Sequence, residues 1–377
     1  MFENKKKIVI IDCYENYLIR TIFIEKYYKE KNYEVIFLIM NFNHITKKKK
    51  TDFRKNVIPI QVLPYQKNMS VKRLLSCSQF ARKAYQKLKE LKPDIIYALI
   101  PPNSVGKYTS LYKKRNPHVK LILDIIDMWP ESLTKGKENR CLKVPLKYWK
   151  NMRNANLNVA NKIILECNLY KDILTKYVDD KKLITQYLIR QSEPFITEPL
   201  KDMNKISLGY LGSINELIDS EKIAELVRRI VQLKPVEVHI VGMGEKKEWF
   251  IKQLRLAGAK VNDYGAVYEM REKCEIFSNC HFGLNIMKKG VCVGLTIKST
   301  DYFGLGLPII NSIPRDTKEL ILEYHAGFQI DNMQECVEKM VKLTEKEYIQ
   351  MKLNARQLFE EQISEKSFYK NAEQILE

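Results

Sequence analysis

Short apolar runs alternate with helical patterns along nearly the whole chain. Val35–Met40 and Asp94–Leu99 have the length of buried strands, and a helix capped by Ser70 is predicted between them. A second such series begins at Ile206–Tyr210 and ends near Phe328–Ile330. Strands that are separated by helices favour parallel sheets with helices on both faces. We therefore predict the α/β class with doubly wound sheets.

The chain is too long for one core. Its 377 residues exceed the roughly 250–300 at which single cores stop growing. Residues Gln191–Lys205, which include two prolines, are typical of a linker. We predict Rossmann-like domains over residues 1–195 and 196–360, and a C-terminal helix over 361–377 that packs back on the first domain. Because ligands bind beyond the carboxyl ends of the strands in such sheets, we expect an interdomain cleft.

The composition argues against a membrane-spanning or metal-binding protein. No apolar run approaches the roughly 20 residues of a transmembrane helix. The eight cysteines include no CxxC pair, and the five histidines are scattered without metal-ligand spacing. We expect a soluble cytoplasmic protein with reduced cysteines, no metal and no bound cofactor.

Positive charge is concentrated in the first half of the chain. Residues 1–200 contain 39 Lys and Arg against 19 Asp and Glu, a balance of +20, whereas the remainder has 25 against 26, or −1. Such asymmetry implies an anionic partner for the first half. Lys47–Lys50 and the basic face of the Ser70–Leu91 helix are candidates for contact with an anionic membrane surface, and a solvated lysine-rich surface is the alternative. Nucleic acid fits less well, because no basic-aromatic recognition motif occurs.

Residues 289–310 give the strongest indication of a ligand site. A glycine-containing loop enters a predicted helix, where unpaired backbone N–H groups and a partial positive charge favour anions. Lys298 adds a full charge, and Asp301 one turn later can accept hydrogen bonds from sugar hydroxyls. Phosphate together with a polyol suggests a sugar nucleotide, whereas a capped helix with a solvated lysine is the alternative. The candidate contacts here are Gly294, Thr296, Lys298, Ser299, Asp301 and Tyr302.

Three more strand ends in the second half add candidate contacts. Glycines allow a ligand to approach the backbone closely, and an aromatic ring can frame a nucleobase. Ordinary turns, with Ser213 as a helix cap, and a core position for Tyr264 are the alternatives. The candidates are Gly212, Ser213 and Asn215 after the first strand, Gly242 and Gly244 after the second, and Tyr264 at the third.

One loop in the first half carries several polar and aromatic side chains. The predicted strand that ends at Asp124 continues into a loop with Asp127, Trp129 and Glu131. A carboxylate on such a loop is placed to accept a proton from a hydroxyl nucleophile. We predict Asp127 as the catalytic base or acceptor ligand. The structural alternatives are Asp124 as a cap and Trp129 as an anchor of the domain interface.

These segments resemble the family 4 glycosyltransferases of the GT-B fold, particularly the Gram-positive capsule and exopolysaccharide type. The resemblance spans nearly the whole chain and is strongest from 206 to 331. It implies two Rossmann-like domains that face a cleft, a nucleotide sugar on the C-terminal domain, an acceptor on the N-terminal domain, and transfer without a metal. The segments that carry it are residues 127–131, 211–215, 218–219, 240–245, 283–288 and 294–303.

The chain departs from the family pattern at several places. Asp301 stands at the second of two positions where the family has glutamates, and Val293 stands at the first. The Arg and Lys pair that usually follows the first glycine turn of this half is missing, so Lys298 is the expected counter-charge of the diphosphate. Cys13–Asn16 replaces a glycine loop after the first strand, and Ile126 precedes Asp127 where many relatives have histidine. These differences bear on the retaining outcome that is usual for the family.

The resemblance and the anion site together predict a glycosyltransferase. It would move a hexose from a nucleotide sugar, expected to be UDP-linked, to a hydroxyl of a lipid-linked saccharide in capsule or exopolysaccharide synthesis, peripherally at the inner face of the plasma membrane. Lys298 would neutralise the leaving diphosphate, Asp301 would hold the ribose hydroxyls, and Asp127 would orient or deprotonate the acceptor. The alternatives are a nucleotide-sugar 2-epimerase of the same fold, a non-catalytic partner of another transferase, and an RNA-binding protein.

Overall fold

The computed structural model describes residues 5–15, 18–68, 70–133, 143–191 and 202–377. The chain divides into two compact units, the first made of Met1–Tyr187 with Asn371–Glu377 and the second of Leu188–Lys370. The predicted domain boundary at residue 195 and most of the predicted linker lie outside the described residues.

The first unit is built on a parallel sheet whose seven described strands have the order β3-β2-β1-β4-β5-β6-β7. The strands are β1 (Lys7–Asp12), β2 (Glu34–Met40), β3 (Val57–Ile60), β4 (Ile95–Ile100), β5 (Lys120–Ile125), β6 (Lys162–Leu165) and β7 (Leu183–Thr185). The helices between them are α1 (Leu18–Glu30), α2 (Val71–Leu91), α3 (Asn103–Arg115), α4 (Lys143–Leu157) and α5 (Asn168–Leu174).

The second unit repeats this plan with six described strands in the order β10-β9-β8-β11-β12-β13, again all parallel. The strands are β8 (Ile206–Leu211), β9 (Val236–Val241), β10 (Lys260–Gly265), β11 (Phe282–Asn285), β12 (Ile309–Asn311) and β13 (Gly327–Gln329). The helices are α6 (Ser220–Val231), α7 (Lys247–Leu256), α8 (Met270–Phe277), α9 (Ile297–Gly304), α10 (Asp316–Glu323), α11 (Met333–Val341), α12 (Glu345–Gln362) and the first part of α13 (Glu365–Leu376).

The central strands of both sheets are buried on both faces. Every residue of β4 and of β8 is buried, as expected for parallel strands that helices cover on both sides. The strand order reverses between β1 and β4 in the first sheet and between β8 and β11 in the second, and ligands bind at the carboxyl ends of such strands. The predicted α/β class with two doubly wound parallel sheets is confirmed.

Helix α2 begins where the sequence predicts. Ser70 is its N-cap, because the hydroxyl of Ser70 accepts a hydrogen bond from the backbone N–H of Arg73 at 3.2 Å. Basic side chains are spread along its 21 residues. In the described part of the chain, neither α2 nor any other helix combines the length and the apolar character that crossing a bilayer requires.

The last residues of the chain pack on the first unit. The hydroxyl of Tyr28 and the ammonium group of Lys120 each donate to the carbonyl oxygen of Leu376 at 2.9 Å. Tyr27 donates to the carboxylate of Glu377 at 3.0 Å. These contacts attach the end of α13 to α1 and β5.

Candidate functional site

The loops that follow β8 and β9 are packed against each other in the second unit. A Cβ atom at Gly242 would lie 2.0 Å from the carbonyl oxygen of Gly212, and one at Gly244 would lie 2.2 Å from that of Ile214. The backbone N–H of Ile214 also donates to the carbonyl of Met243 at 2.9 Å. Gly242 and Gly244 are therefore required for loop packing. Contact of Gly242 and Gly244 with a nucleotide stays a prediction, and Gly244 is exposed to solvent.

Gly212 differs from these two glycines because one side of it is open. Its φ of 112° lies in the region that favours glycine, yet a Cβ atom built on it would have no neighbour within 4 Å. The adjacent Ser213 is exposed, and its carbonyl oxygen accepts a hydrogen bond from the hydroxyl of Tyr210 at 2.8 Å. A ligand can therefore approach the backbone at Gly212 and Ser213.

Asn215 fixes the conformation of this loop. Its side-chain oxygen accepts the backbone N–H of Leu217 at 2.9 Å, and its amide lies 3.4 Å from the hydroxyl of Ser213. Asp219, rather than Ser213, caps α6, since its carboxylate accepts the backbone N–H of Lys222 at 3.1 Å. The hydroxyl of Ser213 is thus not used as a helix cap.

A buried polar network holds the start of α9. Thr296 caps this helix by accepting the backbone N–H of Ser299 at 3.1 Å, and its hydroxyl donates to the side-chain oxygen of Asn285 at 2.9 Å. The hydroxyls of Thr296 and Ser299 are 2.6 Å apart, and both residues are buried. These hydroxyls position the helix on β11, and contact of Thr296 and Ser299 with a ligand stays a prediction. Gly294 precedes the helix, and its carbonyl accepts two hydrogen bonds from Thr317.

Lys298 carries a buried ammonium group at the first turn of α9. Its Nζ atom lies 4.6 Å from the centre of the Tyr210 ring and has no hydrogen-bond partner among the described residues. Burial lowers the pKa of Lys298 to about 8. The first N–H groups of a helix have no partner within the helix and carry a partial positive charge, and Lys298 adds a full charge to the same turn. This arrangement suits an anion, whose charge would compensate the buried cation.

Asp301 is paired with a residue that the sequence analysis did not identify. The guanidinium group of Arg190 lies 3.3 Å from the carboxylate of Asp301 and donates to the hydroxyl of Thr300 at 3.3 Å. The side chain of Asp301 remains partly exposed. Its contact with ribose stays a prediction. Arg190 was missed because it is distant in sequence and lies in no recognisable motif.

The two predicted tyrosine contacts have different environments. Tyr302 is fully buried, donates to the carbonyl of Gly209 at 3.1 Å, and has its ring against Gly283. It belongs to the core and has no surface for a nucleotide, which corrects that prediction. Tyr264 lies on the edge strand β10, stacks at 11° on the ring of His239 and is exposed, so it remains a candidate base contact.

A pocket of about 270 Å³ lies beside the loop that follows β8. Its walls include Asn215, Asp219 and Trp249. Glu216 forms ion pairs with Lys246 at 2.7 Å and Lys288 at 3.3 Å at this pocket. These pairs leave the lysines less available to an anion than Lys298.

In the first unit, two aspartates near the end of β5 have different surroundings. Asp124 is fully buried and lies 3.1 Å from the guanidinium group of Arg20, and it accepts the hydroxyl of Tyr97 at 2.5 Å. Asp127 is partly exposed and accepts the indole N–H of Trp129 at 2.7 Å. Burial raises the pKa of Asp127, which favours proton transfer by this carboxylate. Its catalytic role stays a prediction.

A cluster of aromatic and cationic side chains surrounds this loop. The guanidinium group of Arg73 lies 4.5 Å from the ring centre of Trp129 and 5.2 Å from that of Tyr14. The hydroxyl of Tyr14 is 2.9 Å from the sulfur of Cys77, and its ring centre is 5.0 Å from that of His44. Arg73 belongs to the basic face of α2 that was predicted to contact an anionic membrane, with a solvated surface as the alternative, but its side chain is buried. Arg73 directly follows two exposed residues of the helix, so the sequence did not indicate that it is buried.

The described residues were predicted to lack a metal site and to keep their cysteines reduced. No group of three or more His, Cys, Asp or Glu side chains with the geometry to hold a metal ion occurs in them. The seven cysteines in this part of the chain are free thiols.

The C-terminal part of the sequence matches one protein family model. Residues 287–374 match the family described as "Glucosyltransferase 3-like, C-terminal domain". This range includes Lys298 and Asp301. No curated protein matches the chain significantly by sequence.

The chain is similar over its whole length to solved GT-B structures. HepE from Anabaena, in complex with UDP, has a TM-score of 0.67 and 11% identity and covers 99% of both chains. Sucrose-phosphate synthase from Thermosynechococcus elongatus has a TM-score of 0.71 and 10% identity, with 98% of both chains covered. WaaG, a glycosyltransferase involved in lipopolysaccharide biosynthesis, has a TM-score of 0.65 and 13% identity, with 98% of this chain and 99% of WaaG covered. The predicted GT-B fold is confirmed, and the assignment to family 4 stays a prediction.

Proposed function

We propose that the protein is a glycosyltransferase that transfers a hexose from a nucleotide sugar to a saccharide hydroxyl. The observation that carries the proposal is the buried ammonium group of Lys298, which has no partner among the described residues and lies at the start of α9. A diphosphate would supply the missing counter-charge. The match of residues 287–374 to a glucosyltransferase 3-like domain and the UDP bound to HepE support a UDP-sugar as the donor.

The chemistry follows from the charge that develops when the glycosidic bond to the diphosphate breaks. Lys298 and the backbone N–H groups of the first turn of α9 would stabilise the leaving diphosphate, and such fixed donors act without reorganisation. The backbone at Gly212 and Ser213 is open to the same ligand. Asp301 would accept the ribose hydroxyls, and Arg190 would hold its carboxylate in position.

The acceptor part of the proposal concerns the first unit. Asp127 would accept the proton of the attacking hydroxyl, which its raised pKa favours. We propose a lipid-linked saccharide of capsule or exopolysaccharide synthesis as the acceptor and a peripheral position at an anionic membrane. The balance of +20 over residues 1–200 supports this.

The decisive experiment replaces Lys298 by methionine, which removes the charge and keeps the length of the side chain. We expect turnover with a UDP-sugar to fall at least about a hundredfold, because one electrostatic donor typically contributes about 2.7–4 kcal/mol. UDP should also no longer raise the melting temperature. Lys352→Met is the matched control, because Lys352 is another buried lysine of the second unit, and it should retain both properties.

Each alternative has its own signature in the same assays. Near wild-type turnover of Lys298→Met would remove Lys298 from the mechanism. A new nucleotide sugar formed from the donor alone would indicate an epimerase. Nucleotide binding by the wild-type protein with neither hydrolysis nor transfer would indicate a non-catalytic partner.

A further inference from the structure

The loops after β2 and β3 and the start of α2 form one continuous surface. β2 and β3 are neighbouring parallel strands, so their following loops leave the same edge of the first sheet. The side chain of His44 contacts the hydroxyl of Tyr65 at 2.8 Å, and the backbone N–H of Leu63 donates to Gln79 of α2 at 2.8 Å. We call residues 43–50, 61–68 and 70–75 the loop surface.

The loop surface exposes an unusual number of aliphatic side chains. Among the described residues of the first unit, nine large apolar side chains are exposed, and five of them lie on this surface. Ile45 is 77% exposed and Val71 is 71% exposed, so neither side chain is part of the hydrophobic core. Beneath them, the rings of Phe42 and Tyr65 are buried and 4.9 Å apart, so the exposed side chains stand on a packed base. The five residues are Ile45, Leu63, Val71, Leu74 and Leu75.

The same surface is basic and has no carboxylate of its own. Residues 35–51 and 61–89 contain no Asp or Glu. Lys50 is neutralised by an ion pair with Glu15, outside the loop surface. Four other lysines of the surface are exposed to solvent. They are Lys48, Lys49, Lys67 and Lys72.

Exposed aliphatic side chains among lysines match the layers of an anionic bilayer. Lysines at the level of the lipid phosphates are attracted by the negative leaflet, and aliphatic side chains gain free energy when they leave water for the acyl boundary. A nucleic acid would match the lysines alone and would leave the aliphatic side chains in water. The combination therefore favours a lipid surface as the occupant.

We propose that the loop surface docks the first unit on an anionic lipid leaflet, with the aliphatic side chains of Ile45, Leu63, Val71 and Leu75 inserted among the headgroups. The surface lies at the carboxyl edge of the sheet, the same edge as Asp127 and its loop. Docking would bring a lipid-linked acceptor to that edge. The docking assigns residues to the peripheral membrane position proposed above, and its use in presenting the acceptor rests on the proposed transferase activity.

The first test is sedimentation of the full-length protein with lipid vesicles. We expect it to bind vesicles that contain phosphatidylglycerol and to remain free with pure phosphatidylcholine. The triple variant Ile45→Ser, Val71→Ser and Leu75→Ser should bind at least about tenfold more weakly, since apolar contacts are lost. Replacing Lys48, Lys49, Lys67 and Lys72 by glutamine should weaken binding by at least about a hundredfold.

The control variant is Tyr177→Ser combined with Leu256→Ser, which removes two exposed apolar side chains outside the loop surface. It should bind vesicles like the wild type. Failure of the wild type to bind phosphatidylglycerol vesicles would overturn the proposal, as would full binding by the triple serine variant. The triple serine variant could also retain both tight polyphosphate binding and vesicle binding. That result would identify a polyanion partner instead.

A second readout separates the docking from the transferase activity. The triple serine variant should retain stabilisation by UDP and transfer to a short water-soluble acceptor, and should lose transfer to an acceptor embedded in vesicles. Vesicle binding without any transfer by the wild type would contradict the proposed function and leave the docking standing. Equal loss of both transfer reactions in the serine variant would contradict the docking.

Discussion

Arg20 in the first unit and Lys298 in the second are both buried cations, but their surroundings differ. Arg20 lies 3.1 Å from the carboxylate of Asp124 and donates to the backbone carbonyl of Gln186 at 2.9 Å. Lys298 faces the ring of Tyr210 and has no hydrogen-bond partner within the described residues. Burying a charge is unfavourable unless it is paired. Arg20 thus has its counter-charge within the protein, whereas Lys298 would gain one from the proposed diphosphate.

Removing the paired cation should have the largest effect. We expect Arg20→Met to lower the free energy of unfolding by about 3–5 kcal/mol, because it leaves the buried carboxylate of Asp124 without its counter-charge. Urea unfolding followed by circular dichroism measures this loss. The double variant Arg20→Met with Asp124→Asn should lose less stability, since the amide oxygen introduced at position 124 still accepts the hydroxyl of Tyr97. A loss below about 1 kcal/mol in the single variant would contradict the structural role of Arg20.

Removing the unpaired cation should have the opposite effect on the stability of the free protein. The pKa of Lys298 is about 8 in the folded state against 10.5 for an ordinary lysine. Folding therefore releases a proton between pH 8 and 10.5, whereas below pH 8 both states keep the ammonium charged. The ammonium form destabilises the fold below pH 8, and this penalty disappears as the pH rises from 8 to 10.5. We expect Lys298→Met to be more stable than the wild type at pH 7 by up to about 3 kcal/mol.

The difference between Lys298→Met and the wild type should shrink as the pH approaches 10.5. Urea unfolding at several pH values measures it. The control is Lys318→Met, because Lys318 of α10 is only half-buried and is paired with Asp331. A variant that is less stable than the wild type at pH 7 would show that the ammonium group has a structural partner. In that case the contrast with Arg20 would fail.

The two units also illustrate which features of the fold and the site could be predicted from the sequence. Alternation of strands and helices was enough for the fold, because periodicity and segment length are local properties. Lys298 could be named as a candidate site residue because a charged residue beside a glycine loop and a helix start is also a local pattern. Arg190 and the buried position of Arg73 were missed, since both depend on contacts between segments that are far apart in sequence.

The glycines show why the sequence alone does not decide the role of a site residue. A glycine after a strand permits close approach of either a ligand or a neighbouring loop, and the sequence pattern is the same for both. In the structure, Gly242 packs on the carbonyl of Gly212, so the close approach of the neighbouring loop accounts for a glycine at this position. Tyr302 was misassigned for a similar reason, because an aromatic residue beside a candidate site can face the core. The roles of Asp127 and Tyr264 depend on a bound ligand and remain predictions.

The glycines allow a smaller test of the contrast between structural and ligand-binding positions. Gly242→Ala should lower stability by about 1–3 kcal/mol, because its Cβ atom would clash with the backbone of the neighbouring loop. Gly212→Ala meets no such clash and should lose only about 1–2 kcal/mol from its backbone conformation. Only Gly212→Ala should weaken UDP binding beyond what its stability loss explains, as measured by calorimetry. Equal affinity for UDP in Gly212→Ala and the wild type would exclude ligand contact at this loop.

Arg190 and Asp301 form a partly exposed pair that lies between these two extremes. Their side chains retain 24% and 17% exposure, so Arg190→Met should lower stability by about 1 kcal/mol or less. If Asp301 holds the ribose hydroxyls, loss of Arg190 frees its carboxylate to move, and the KM for the nucleotide sugar should rise more than kcat falls. Arg190→Lys should restore part of the affinity, because a cation still attracts the carboxylate. Unchanged KM in Arg190→Met would separate Arg190 from donor binding, and an unchanged KM in Asp301→Asn as well would remove the pair from the site. A KM increase confined to the nucleotide sugar, with no change for the acceptor, would assign Arg190 to the positioning of Asp301.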